Sequence, residues 1–262
     1  MKTLITPEQT IAAAKAAGAS DDDLGLSGVA ILTFNRGIVE RLGELCDLED
    51  GSWVGPHVHP YAGPRVVKRG GREGLEVMVL VPSMGASPLA CTVEDLIAGG
   101  IDAAFLVCAA WSLGSPVAFG DVLVPSFAVG SDGTSIHYGN SAERVDANPA
   151  VVAALADAGR ERGATVHVGG NASCEALYRI TPEMVEGFRD RGCLSMENGE
   201  AATLFAVCRT FGIPSGALFQ PYIDLKRGWD PNLLDDRYRE TCRLQGDVVL
   251  DAALRLRNDG AI

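Results

Sequence analysis

The segment Ser195-Met196-Glu197-Asn198-Gly199-Glu200-Ala201-Ala202-Thr203-Leu204-Phe205 joins a short strand-like run to an apolar helix and places carboxylates at the junction. A buried or half-buried carboxylate is costly unless hydrogen-bond donors reach it. Two carboxylates, Glu197 and Glu200, directly precede the apolar part of this helix. The segment therefore predicts a βα unit whose junction meets a ligand that carries hydroxyl groups.

Strand-like and helix-like patterns alternate along the whole chain on both sides of this segment. Residues 29–34 form a continuous apolar run, as expected of a strand that is covered on both faces. The alternation predicts an α/β fold with a largely parallel sheet and helices on both faces, and short strands such as 123–125 indicate some antiparallel or barrel-like curvature. The other predicted strands are 64–69, 75–81, 103–110, 121–129, 165–171, 193–196 and 214–222, and the predicted helices are 37–46, 87–98, 149–162, 181–191, 200–211 and 231–257.

The chain has 262 residues and contains no proline- or serine-rich linker, charge block or repeat that would divide it. We therefore expect one domain over residues 1–262. Residues 1–28 are predicted to be an N-terminal helical extension. Its helix starts at Thr6-Pro7-Glu8-Gln9, where Thr6 caps, Pro7 takes the first position and Gln9 reaches back.

The charge and the apolar pattern argue against two classes of partner. The formal net charge is −12, whereas nucleic-acid binding requires clustered Lys and Arg, so no nucleic-acid partner is expected. No apolar run reaches 18 residues, so no membrane partner is expected either.

Cysteine and histidine usage indicates a reduced protein without a metal. The seven cysteines form no C-x-x-C pair and several lie in apolar segments. With no secretory signal pattern at the N-terminus, this predicts a cytoplasmic location. His57 and His59 alternate in a loop-like segment without a third ligand, so no metal site is expected.

Three loops collect polar groups where strands end. Residues 81–88 join a strand to a helix, and their backbone N–H groups either bind a polar ligand or form an ordinary βα turn. Residues 132–138 are either a ligand loop or a hairpin turn around Asp132-Gly133. Residues 171–179 follow a strand, at the sheet edge where ligands of open α/β proteins bind.

Five segments in this order resemble the nucleoside phosphorylase superfamily, and are most similar to its uridine phosphorylase branch: 81–88, 120–125, 132–138, 176–179 and 197–205. The similarity runs from about residue 29 to 255. It implies a single α/β domain around a twisted, mixed and partly barrel-like sheet flanked by helices. It also implies a homo-oligomer, either a dimer or a trimer of dimers, and a nucleoside as the small-molecule partner.

The resemblance also implies roles for particular residues. Glu200 would accept hydrogen bonds from ribose hydroxyls, although Gly199 stands where methionine is usual in the family. In the family an acidic residue also precedes this pair. Because this chain has a one-residue insertion, either Asn198 or Glu197 corresponds to that residue. The implied catalytic residues are Glu200, Glu175 and Arg179, and the implied substrate-binding residues are Ser83, Met84, Gly85, Trp111, His137, Tyr178, Met196, Glu197, Asn198 and Gly199.

The chain departs from the family where phosphate would bind. The family carries an arginine, a glycine, a hydroxyl residue and a second glycine on one strand, where this chain has Leu106 and the segment 108–111, Cys-Ala-Ala-Trp. Each missing charge-assisted hydrogen bond removes roughly 1.5–3 kcal/mol. Arg36 and the partner subunit's Arg65 are the remaining candidates to hold phosphate.

The base site departs as well, because Thr181 and Glu183 replace the glutamine and arginine that recognise uracil in the family. The first hypothesis is an enzyme that acts on the N-glycosidic bond of a nucleoside or analogue, with phosphate or water as the acceptor and no cofactor. The alternative is a nucleoside-binding or regulatory protein on the same fold. Hydride transfer on a dinucleotide is disfavoured because no G-x-G-x-x-G follows the first strand.

Overall fold

A computed structural model describes residues 3–20, 24, 27–53, 63–140, 144–229 and 236–262. The predicted alternation of strands and helices is found throughout these ranges. The helices are α1 Pro7–Ala16, α2 Arg36–Cys46, α3 Ala86–Gly99, α4 Pro149–Glu161, α5 Pro182–Asp190, α6 Glu200–Phe211 and α7 Asp236–Asn258. The strands are β1 Val29–Leu32, β2 Glu49–Asp50, β3 Val66–Arg72, β4 Leu75–Val81, β5 Ala103–Ser112, β6 Val122–Ser131, β7 Arg144–Asp146, β8 Val166–Cys174, β9 Cys193–Glu197 and β10 Ser215–Asp224.

The sheet is mixed, and part of it closes on itself. Strand β5 pairs with β9 on one side and with β10 on the other, while β10 pairs with β6, β6 with β8 and β8 with β9. These five strands form a closed ring, and β1, β4, β3 and β2 extend the sheet away from it. The predicted α/β fold with a partly barrel-like sheet is therefore confirmed.

Two apolar layers cover the faces of the sheet. On one face, Leu89 and Leu96 of α3 pack with Phe205 of α6. On the other, α7 packs against α2 and α4, and Ile38 and Val248 are fully buried there. The strands between these layers are near-continuous apolar runs because both of their faces are covered.

The closed ring brings several strand ends to one place. Trp111 near the end of β5 lies opposite Met196 of β9 and Ile223 of β10. Ser173 near the end of β8 pairs with Glu197, the last residue of β9. Side chains distant in sequence therefore meet beside the β9–α6 junction.

Several local features differ from the sequence prediction. Strand β3 continues to Arg72, beyond its predicted end at residue 69, because residues 70–72 remain paired with β4, and the chain reverses at Glu73-Gly74. The loop after β6 holds a short 3₁₀ helix, Ser135–Tyr138, and is therefore wider than a two-residue hairpin turn. The predicted start of the last helix at 231 and the histidines 57 and 59 lie outside the described residues.

The predicted start of α1 is present, since Gln9 Oε1 accepts a hydrogen bond from the Thr6 N–H at 2.9 Å. The extent of the single domain, with residues 1–28 as an extension, stays a prediction. In the parts of the chain that the structure describes, no helix is long and apolar enough to cross a membrane.

Gly28, at the entry to β1, offers a test of the packing. Its φ is +73°, and a Cβ there would lie 2.2 Å from the carbonyl oxygen of Glu76. Gly28→Ala should lower the free energy of unfolding by about 2–5 kcal/mol, because the left-handed conformation and the backbone clash both oppose a side chain.

The matched control is Gly43→Ala on α2, where a Cβ meets nothing within 4 Å. The free energy of unfolding of that variant should rise by about 0.5–1 kcal/mol, since alanine is more favourable than glycine inside a helix. Urea unfolding of both variants checks the pair, and equal stabilities would contradict the packing described for Gly28.

Candidate active site

The β9–α6 junction turns sharply at a glycine. Gly199 has φ +95°, and a Cβ there would lie 3.0 Å from Cγ of Glu175 and 3.1 Å from Cβ of Ala86. The left-handed backbone and the close neighbours together require glycine at this position. This explains why the chain has no methionine before Glu200.

Glu200 is the first residue of α6 and is only 2% exposed. Its Oε1 accepts a hydrogen bond from the backbone N–H of Gly85, at 2.8 Å. Gly85 caps α3 with φ +109°, so a second βα turn is fixed against the junction. The N-terminal end of α6 also favours a negative charge at this position.

Glu197 is 7% exposed and lies beside Glu200. Its Oε2 accepts the backbone N–H of Glu200 at 2.6 Å, and its Oε1 accepts Nδ2 of Asn171 at 3.0 Å and the hydroxyl of Ser173. Ser173 Oγ in turn accepts the N–H of Ala202 at 2.9 Å. Strand β8 therefore supports both the carboxyl group and the first turn of α6.

The two buried carboxyl groups affect each other's charge. Burial raises the pKa of Glu197 well above its usual range, and the adjacent Glu200 carboxyl adds to the increase. Two adjacent like charges are unfavourable in a poorly solvated site. Both causes favour the neutral form of Glu197 in the folded state.

A cavity of about 210 Å³ opens onto this pair. One wall is the segment Cys108–Trp111 of β5, and Met196 lies beside it. Aromatic side chains, two amides and two further apolar side chains complete the lining: Phe34, Tyr222, Tyr238, Asn35, Asn198, Met84 and Leu177. Among the described residues, no Arg, Lys or His lines this cavity.

Trp111 separates this cavity from a second one. Its indole Nε1 donates to the hydroxyl of Tyr222 at 2.5 Å, which fixes the ring at the end of β5. The second cavity, of about 590 Å³, shares Trp111 and Leu177 with the first and continues to Tyr178 and Trp229. The two cavities thus adjoin across one indole ring.

Two polar side chains that hydrogen-bond to each other line the first cavity on the side next to α2 and α7. Asn35 Nδ2 donates to the hydroxyl of Tyr238 at 2.9 Å, and burial raises the pKa of that phenol. Burial also raises the pKa of the Cys108 thiol, with further increases from Glu200 and Glu197. A neutral thiol is a poor nucleophile, so Cys108 serves as an apolar wall.

The structure brings together about half of the residues predicted from the sequence. The first cavity is lined by Met84, Trp111, Met196, Glu197, Asn198 and Glu200. Gly85 contributes its N–H to Glu200, and Gly199 forms the turn. Glu175 lies next to that turn, where its Oε2 accepts the N–H of Gly133 at 3.4 Å.

The remaining predicted residues lie elsewhere. Tyr178 is 99% exposed at the second cavity, and Ser83 lines a separate cavity of about 480 Å³. His137 and Arg179 are exposed and line none of these three cavities. Their roles stay predictions.

The two arginines considered for phosphate also lie away from the cavity. Arg36 has a 91% exposed side chain whose Nε contacts Oε1 of Glu40 at 2.7 Å. Arg65 is exposed and does not line the first cavity. Their role at phosphate stays a prediction too.

The sequence did not indicate several residues that contribute to this site. Asn171 and Ser173 lie in the polar segment 171–179, whose first residues belong to β8, but nothing local indicated that they hold Glu197. Tyr222 and Tyr238 come from β10 and α7, and only the closed ring and the packing of α7 place them near Glu200.

The raised pKa of Glu197 predicts a pH dependence of stability. Since folding raises this pKa, the folded state binds the proton more tightly than the unfolded state. The corresponding stabilisation is complete below the unfolded pKa and is lost as the pH rises toward the folded pKa. Between about pH 5 and about pH 7.5, the free energy of unfolding should therefore fall less steeply in Glu197→Gln than in the wild type.

Denaturant unfolding across this pH range measures the slopes. The control is Glu240→Gln on the exposed face of α7, whose slope should match that of the wild type. Identical slopes for Glu197→Gln and the wild type would show that Glu197 is not protonated.

Comparison with known proteins agrees with this architecture. A family model described as Phosphorylase superfamily matches residues 29–222. The guanosine phosphorylase of Halorubrum lacusprofundi is 28% identical over 191 residues, covering 72% of this chain and 76% of that protein. The uridine phosphorylase of Salmonella typhimurium is 26% identical over 198 residues, covering 70% of this chain and 77% of that protein. The uridine phosphorylase of Thermococcus kodakarensis is 25% identical over 159 residues, covering 56% of this chain and 57% of that protein. Because the family model spans well over half of the chain, the protein belongs to the phosphorylase superfamily.

Proposed function

We propose that the protein is an enzyme that cleaves the N-glycosidic bond of a nucleoside, with water as the acceptor. The observation that carries this proposal is the position of Glu200. Its buried carboxyl group lines a cavity whose opposite wall, Cys108–Trp111, offers no cationic side chain and no side-chain hydroxyl.

The sizes of the cavities support a nucleoside as the substrate. The first cavity, about 210 Å³, lies below the range of about 300–1,000 Å³ that is typical of small-molecule sites. With the adjoining cavity of about 590 Å³, there is room for a sugar beside Glu200 and a base beyond Trp111. The relatives named guanosine and uridine phosphorylase support the same substrate class.

The lining of the first cavity supports water over phosphate. A phosphate dianion requires charge-assisted donors, for which arginine is the preferred side chain. Leu106 is fully buried where the family carries arginine, and Ala109 lies where it carries the hydroxyl residue. Water needs only one or two polar contacts, and Asn35 and Tyr238 can supply them.

The proposed chemistry follows from the charges of the pair. Glu200 accepts hydrogen bonds from the sugar hydroxyls and stabilises the positive charge that develops on the ring as the C–N bond breaks. Glu197 accepts the backbone N–H of Glu200 and so positions the first turn of α6.

A nucleoside panel tested with and without inorganic phosphate decides the acceptor. We expect free base to appear at the same rate in both conditions, because no cationic side chain of the described residues lines the cavity. Release that depends on phosphate would contradict hydrolysis. Tight binding without any release would instead favour the alternative of a nucleoside-binding protein.

Glu200→Gln tests the role of the carboxylate. Loss of the charge should lower kcat by about 10²–10³-fold, the range seen when one group that stabilises a transition-state charge is removed. Glu240→Gln should leave kcat unchanged. Steady-state kinetics with the best nucleoside of the panel provide the measurement, and full activity in Glu200→Gln would exclude this carboxylate from the reaction.

A further inference from the structure

Asn35 occupies the N-cap position of α2, but its side chain does not cap the helix. At the start of α4, Oδ1 of Asn148 accepts the N–H groups of Ala150 and Val151 at 3.0 and 3.2 Å. The side chain of Asn35 makes no such bond. Asparagine is favoured at an N-cap because of this bond, so the side chain of Asn35 is used for other contacts.

Two neighbours hold the amide nitrogen of Asn35. Its Nδ2 donates to the hydroxyl of Tyr238 at 2.9 Å and to Sγ of Cys242 at 3.6 Å. Cys242 is buried, and its Sγ also accepts Nε2 of the buried Gln220 at 3.0 Å. Burial raises the pKa of the Tyr238 phenol and of the Cys242 thiol, so both groups are neutral near pH 7. These contacts fix the plane of the Asn35 amide.

The carbonyl oxygen of the same amide is available to a ligand. Within the described ranges of the chain, no donor reaches Oδ1 of Asn35, and Asn35 lines the first cavity. Other polar groups of the lining are already used: both carboxyl oxygens of Glu197 accept hydrogen bonds, and the indole N–H of Trp111 is donated to Tyr222. An amide carbonyl oxygen accepts up to two hydrogen bonds, so Oδ1 of Asn35 suits a small molecule that carries O–H groups.

Asn35 lies on the side of the first cavity that a nucleophile requires. Asn35 and Tyr238 line the first cavity only, whereas Trp111 and Leu177 line both cavities. With the base beyond Trp111, Asn35 is away from the leaving group. A water molecule that displaces a leaving group directly attacks the opposite face of the sugar ring.

We infer that Asn35 holds the attacking water, its Oδ1 accepting one O–H group, and that Tyr238 is a positioning residue that acts through Asn35. This inference rests on the proposed function. The C–N bond breaks with its electron pair moving to the base, and the water oxygen forms the new C–O bond at the anomeric carbon. The bound water then loses one proton to solvent and the base takes one from solvent, so the products are the free sugar and the neutral base.

Asn35→Ala and Asn148→Ala form a matched pair of N-cap variants. With the best nucleoside of the panel, Asn35→Ala should lower kcat by about 10²-fold with KM unchanged, because it misplaces the nucleophile and leaves the nucleoside contacts in place. Asn148→Ala should keep the wild-type kcat. Urea unfolding should show the reverse order, since only Asn148→Ala removes a capping bond.

Methanol measures the acceptor site directly. It competes with water for the anomeric carbon and yields the methyl glycoside, which is quantified against the free sugar. The methyl glycoside fraction should rise in Asn35→Ala, because the variant removes the group that holds water and opens space for a methyl group. It should stay at the wild-type value in Asn148→Ala, since a general loss of stability does not change the choice of acceptor.

Tyr238→Phe tests the positioning role, because it removes the hydroxyl and keeps the ring. It should lower kcat less than Asn35→Ala does, and the double variant should match Asn35→Ala alone, since Tyr238 acts through the side chain that is already absent. Independent, additive losses would overturn this role of Tyr238.

Wild-type kcat or an unchanged methyl glycoside fraction in Asn35→Ala would overturn the inference and leave hydrolysis standing. Base release that requires phosphate, or no release from any nucleoside by the wild type, would overturn the proposed function and this inference with it. The two failures are therefore distinguished by the wild-type reaction alone.

Discussion

The site depends on the contact between two buried carboxyl groups at the end of β9 and the start of α6. Glu197 accepts the N–H of Glu200, and Glu200 accepts the N–H of Gly85 on a different βα turn. The first of these hydrogen bonds fixes the β9–α6 junction, and the second joins that junction to the β4–α3 turn. Placing two such groups out of water is unfavourable, and burial together with the Glu200 carboxyl raises the pKa of Glu197.

The closed ring of strands makes this contact possible. Strands β5, β8, β9 and β10 end close together because β5 pairs with both β9 and β10. Trp111 then lies opposite Met196, and Ser173 lies beside Glu197. A ligand in the first cavity would therefore contact residues from the three strands β5, β9 and β10 and from the helices α6 and α7.

The sequence allowed the fold to be predicted well because its signals are local. Continuous apolar runs such as Val29–Leu32 and capped helix starts such as Thr6-Pro7 act over a few residues. Glu200 was also recognisable, since a carboxylate at the head of an apolar helix is unusual. Tyr222, Tyr238 and Asn171 could not be found in this way, because their positions near Glu200 arise from ring closure and helix packing between distant segments. Gly199 could be explained only after its φ of +95° was known.

The central claim is that a sugar binds against Glu200 with its base on the far side of Trp111. A crystal structure of the Glu200→Gln variant with the best nucleoside of the panel tests it most directly, since slow turnover keeps the nucleoside intact. The account predicts sugar hydroxyls within hydrogen-bond distance of residue 200 and the base in the cavity lined by Tyr178 and Trp229. A nucleoside bound elsewhere, with the cavity beside Cys108–Trp111 filled by phosphate, would contradict it.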